Sequence, residues 1–96
     1  MTKQEKNNYW TIVRACLVAF HSLKLGEAKK RVDYYRGRIE LAEPDISIDI
    51  FFHNEPFNVA CDITNQYPEM DSEKYATYQK ILKGEYSERP ERKKVQ

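Results

Sequence analysis

Apolar side chains recur along this chain at intervals of three and four. From Tyr9, the positions Ile12, Val13, Cys16, Leu17, Phe20 and Leu23 lie on one side of a helical wheel, which predicts a helix over about 9–25. Asn8 is its candidate N-cap, and Gly26, able to adopt a left-handed conformation, is its candidate stop. A second stripe, Ala28, Val32, Tyr35, Ile39 and Ala42, predicts a helix over about 27–42, with Lys29, Lys30, Asp33, Arg36 and Glu40 opposite and Pro44 as its end. So short a connection at Gly26 makes the two an antiparallel hairpin.

The third region reads two ways. Ile46, Ile48, Ile50 and Phe52 alternate as in a strand, yet the chain holds no comparable second strand to pair with it. A helix over about 46–53, capped by Asp45, is therefore expected, with strand pairing across a dimer as the alternative. Pro56 breaks this element, and Asn54, Glu55 and Pro56 restart it, giving 46–64 broken near Pro56, with Phe57, Ala60, Cys61 and Thr64 on one face. After the loop NQYPEM, Asp71 or Ser72 caps a last helix over about 72–86, with Tyr75, Tyr78, Ile81, Leu82 and Tyr86 inward and Gly84 weakening its end. The expected fold is all-α: one domain of four main helices over 1–86, then a charged, disordered tail over 87–96.

At 96 residues, the chain has room for one modest core and none for separate cofactor and substrate domains. Its seven Tyr, four Phe and one Trp argue against disorder. The polar start MTKQEKNN is unlike a signal peptide, and the most apolar run is short and interrupted by Arg14, His21 and Lys24. Cys16 and Cys61 each sit in an apolar run, as buried thiols do in a reducing compartment. A cytoplasmic protein, without a membrane contact, is expected.

Charge is divided along the chain. From Ile39 to Glu73 there is no Lys or Arg, and nine acids give that segment a net charge of −9. The remainder carries 16 basic and six acidic residues. Either the acidic segment pairs internally with the basic helices, or region 39–73 offers a face to a basic protein partner. Helix one carries Arg14 as its sole formal charge between Tyr9 and Leu23, and is apolar nearly all round. That pattern predicts burial on every side, and hence a homodimer whose interface includes Trp10, Arg14, Ala15, Val18 and His21.

Two further groupings bear on chemistry. Asp49, His53, Glu55 and Asp62 are candidate metal ligands, although Asp-x-x-x-His arises often by chance and equally suits capping or pairing. Lys29, Lys30, Arg36 and Arg38, near Tyr34 and Tyr35, form a candidate nucleic-acid surface, offset by the acidic neighbourhood. Phosphate-binding loops, dinucleotide fingerprints, zinc-protease motifs and nucleophile elbows are absent. The expected function is a non-catalytic binding or regulatory protein acting through protein contacts, with no cofactor. The alternatives are a nucleic-acid-binding regulator using residues 24–38 and the tail, and a small metal-dependent enzyme.

Overall fold

The computed structural model describes residues 2–42 and 52–88. Among them the fold is all-helical: α1 (Lys3–His21), α2 (Leu25–Ala42), α3 (Pro56–Thr64) and α4 (Ser72–Leu82). Residues 43–51, which hold most of the helix expected over 46–53, lie outside the described residues, as do 89–96; Phe52 and His53 form a turn rather than helix, one that leads into Pro56.

α1 begins six residues earlier than the apolar stripe predicts. The Thr2 hydroxyl accepts from the Glu5 N–H at 3.0 Å, and the Glu5 carboxylate accepts from the Thr2 N–H at 2.8 Å. This reciprocal capping box starts the helix without any apolar residue. Asn8, the expected cap, is mid-helix and accepts from the Gln4 amide. The helix also stops earlier, at His21. Ser22 takes the left-handed conformation (φ 59°) expected of Gly26, while Gly26 lies inside α2. The Leu23 N–H closes the turn onto the Leu17 carbonyl.

The hairpin of α1 and α2 is antiparallel, as expected. Arg36, late in α2, donates to Asn7, early in α1, and Trp10 meets Tyr35 edge-on. In α3, Pro56 occupies the first turn and Asn65 (φ 57°) closes the end. The expected cap Asn54 serves otherwise: its carbonyl accepts the Tyr9 hydroxyl at 2.8 Å. Glu55 stands at the N-cap position instead, its carboxylate taken by the Tyr78 hydroxyl at 2.7 Å. Asp71 caps α4 through the Lys74 N–H, and Gly84 (φ 77°) lies just past its end, so the helix is four residues shorter than predicted.

α1 is the central element, touching α2, α3 and α4. Val13, Cys16 and Leu17 are wholly buried, against a core completed by Ala28 and Val32 of α2, Phe57, Val59, Ala60 and Cys61 of α3, and Tyr78 and Ile81 of α4. Two aromatic groups close its ends. Tyr9 and Trp10 meet Phe52, with Tyr9 and Phe52 edge-to-face at 4.8 Å. Phe20, Phe57 and Tyr78 form the second, Phe20 and Phe57 at 5.2 Å.

The apolarity of α1 is therefore used within the chain. Trp10 is 2% and Ala15 6% exposed, and Val18 packs against the core. Arg14 is held by two parallel bonds to Glu88, at 2.7 and 2.8 Å. Four of the residues expected at a dimer interface, Trp10, Arg14, Ala15 and Val18, thus have contacts within the chain, and the fifth, His21, is half-buried. Burial of α4 is also narrower than predicted: Tyr75 and Leu82 are exposed, because α1 reaches that helix along Tyr78 and Ile81.

Candidate functional site

Helix α2 is long and thinly covered. Among its described side chains, Ala28 and Val32 are buried; Tyr34 is 67% and Leu41 91% exposed. Among the described residues, α1 and the short α3 pack against it, and nine residues of α3 cannot cover eighteen of α2. The uncovered stretch forms a cleft of about 460 Å³ between α2 and α3, lined by Lys30, Arg31, Tyr34, Tyr35, Asp62 and Ile63. Tyr34 and Tyr35 also line a second hollow of about 310 Å³, whose described lining includes Arg38 and Ile39. The two make one trough along α2.

The polar groups of the trough differ in their commitments. The Arg31 guanidinium bonds Glu27 one turn away at 3.0 Å, with both side chains nearly half exposed, so the pair is weak. Lys30 makes no ion pair among the described residues. The Arg38 guanidinium lies 5.8 Å from the centre of the Tyr34 ring, a cation–π contact. Asp62 accepts the Tyr67 hydroxyl at 2.5 Å, and that bond raises the Tyr67 phenol above its ordinary pKa. The apolar part is Ile63 with the tyrosine rings.

The cations expected to form one nucleic-acid surface are divided by this geometry. Lys30 and Arg38 face the trough, whereas Lys29 and Arg36 line a separate groove of about 190 Å³ between α1 and α2, beside Arg14 and Asp33. Arg36 is further engaged by Glu40 at 2.9 Å and by Asn7. A helical wheel explains the division: Lys29 and Arg36, seven apart, share one face, whereas Lys30, Tyr34 and Arg38 follow one another four apart along another.

The candidate metal ligands do not converge. Glu55 and Asp62 are bonded to tyrosine hydroxyls and His53 is exposed, while Asp49 lies outside the described residues. No group of three His, Cys, Asp or Glu side chains able to hold a metal occurs among the described residues. Of the described acids in region 39–73, Glu40 and Asp71 pair with cations of their own helices, Arg36 and Lys74. The Lys74 N–H and ammonium hold the Asp71 carboxyl below its usual range. Glu69 and Glu73 are exposed, and Glu43, Asp45 and Asp49 lie outside the described residues.

Two titratable groups belong to the core. Cys16 and Cys61 are buried and unpaired, and burial pushes both thiols upward, away from the reactive thiolate. His21 ends α1 with its Nδ1 3.1 Å from the Thr64 hydroxyl. That hydroxyl also lies 3.3 Å from the Ala60 and Cys61 carbonyls, so it links the imidazole to the last turn of α3. Burial lowers the His21 pKa, with Gln66 acting weakly in the opposite direction.

No described helix is long and apolar enough to cross a membrane. The trough had a partial signal in the sequence, the adjacent Tyr34 and Tyr35 among cations. Its second wall, Asp62 and Ile63, had none. Comparisons with protein-family models, curated proteins and solved structures found no match.

Proposed function

We propose that this chain is a non-catalytic binding protein that engages another protein through the exposed side of α2. The observation that carries this reading is the cleft between α2 and α3, where the Tyr34 ring stands 67% exposed among the described residues. Tyrosines at low entropic cost, a short aliphatic floor and a cationic rim are the usual make-up of a protein contact surface. The intrachain contacts of Trp10, Arg14 and Ala15 favour α2 over α1 as the contact surface. Division of the basic residues between two grooves counts against a continuous phosphate-tracking surface, and so against the nucleic-acid reading. Two buried, unpaired thiols suit a reducing compartment such as the cytoplasm.

The test is site-specific photo-crosslinking in cells of the source organism. A photoreactive residue at position 34 should give a discrete protein adduct, and the purified partner should bind the purified chain. Tyr34→Ala and Leu41→Asp should each weaken that binding, because both positions are exposed and neither supports the core. Absence of a protein adduct at position 34, or binding indifferent to both substitutions, would defeat the proposal.

A further inference from the structure

His21 stands where the C-terminal ends of α1 and α3 meet. Ser22, in the left-handed conformation, and Leu23 both return their N–H groups to the Leu17 carbonyl and so close α1. Asn65, also left-handed, and Gln66 close α3 in the same way, onto the Asp62 and Cys61 carbonyls. The imidazole joins these two ends. Its Nδ1 lies 3.1 Å from the Thr64 hydroxyl, and its Nε2 is buried with no hydrogen-bond partner among the described residues. The joined ends flank the turn 22–24, through which α1 leads into α2.

A neutral imidazole carries one ring N–H, whereas the cation carries two and shares its charge between them. At this seam the cation has a hydroxyl beside Nδ1 and no acceptor for Nε2, so a proton gained in place leaves a buried charge unpaired. The titratable groups around this end are Cys61 and Asp62 of α3, Tyr78 of α4, and Lys24 and Glu27 at the start of α2. None of them acts on the ring: burial disfavours its charged form, and the Gln66 side chain opposes burial.

We propose that His21 is an acid-released latch between the ends of α1 and α3. Neutral, the ring stays in the seam against Thr64. Protonated, it turns outward to hydrate Nε2, toward the exposed Gln66 side chain that favours its charge, and the Thr64 contact is lost. Both helix ends and the turn 22–24 then loosen, while Val13, Val59 and Ile81 remain packed in the core. The device is independent of the protein-binding reading.

The test is an NMR titration of the full chain between about pH 7.5 and 5. The His21 ring signals and the amide signals of Ser22, Leu23, Asn65 and Gln66 should move together, with one midpoint below the ordinary imidazole value of about 6.5. The heteronuclear NOE of those amides should fall over the same range, while the methyl signals of Val13, Val59 and Ile81 hold their positions. Thr64→Val removes a contact made only in the closed seam, so the midpoint should rise by about 0.4–1 pH unit, the equivalent of one hydrogen bond. His21→Gln should abolish the transition, and His53→Gln, at an exposed position, should leave it intact. Core methyl dispersion at pH 7.5 shows that each variant is folded. A ring that titrates while the four amides stay fixed is protonated in place, and the latch is refuted. A ring that binds no proton by pH 5 refutes it as well. So does loss of the core methyl positions at the same midpoint, because the chain then unfolds as a whole. A transition that survives His21→Gln, or a midpoint unmoved by Thr64→Val, has the same consequence.

Discussion

Replacing Leu17 by Ala tests whether α1 is the core of one chain or half of a seam between two. The Leu17 side chain is wholly buried on the helix that meets all three others. Truncation removes three carbon atoms from water-excluded packing and leaves a void that the surrounding Leu-to-Ala relaxation fills only in part, a loss of about 3–4 kcal/mol. For a domain of this size each kcal/mol lowers the midpoint of thermal unfolding by about 4–8 °C, so a fall of roughly 12 °C or more is expected. Thermal and urea unfolding followed by circular dichroism at 222 nm measure it, repeated over a hundredfold range of protein concentration. A core formed within one chain gives unfolding midpoints independent of concentration, for both the parent and the variant. A seam between chains gives midpoints that rise with concentration by mass action. A loss below about 1 kcal/mol, or a parent midpoint that climbs with concentration, would refute the assignment of α1 to the interior of a single chain.

Other outcomes follow from particular contacts. His21 is held neutral by burial, so its folded pKa lies below the ordinary value. Between that folded value and about 6.5 the unfolded chain binds more protons, so stability should be full above pH ~6.5 and decline as pH falls toward the folded pKa. His21→Gln should flatten this decline in melts between pH 7 and 5; an unchanged slope would show that His21 is not its source. Glu88→Gln breaks the charged, bidentate contact with Arg14 and should cost about 1–3 kcal/mol in urea denaturation, with the difference shrinking in high salt. Tyr78→Phe removes a hydroxyl that joins Glu55 to the Phe57 N–H at the start of α3, and should cost about 1 kcal/mol with faster amide exchange at Phe57. If exchange at Phe57 is unaltered, that hydroxyl does not anchor the helix.

The sequence by itself determined the helical class, the hairpin of α1 and α2, the restart at Pro56 and a cap at Asp71 or Ser72, of which the structure uses Asp71. Each is a local matter: an apolar period of three to four, a short connection, a missing N–H, a carboxylate before a free amide. Apolar periodicity did not locate the ends of α1, because it reports only the buried part of a helix. The first turn, set by Thr2 and Glu5, buries nothing, and the left-handed residue at the other end is Ser22 although Gly26 is the easier sterically. What covers α1 was settled only by tertiary structure. A helical wheel shows that Trp10 and Ala15 need burial but not whether the burying surface comes from the same chain. Here α2, α3 and α4 supply it. The pairing of Arg14 with Glu88, 74 residues away, was equally invisible, because no local rule links side chains so far apart. The candidate site divides in the same way. Lys30 and Tyr34 were legible as cation and tyrosine on one helix and Tyr35 as part of its apolar stripe, where it packs against the core, whereas Asp62 and Ile63 came to face them only through the placement of α3, a product of long-range packing that no sequence period encodes.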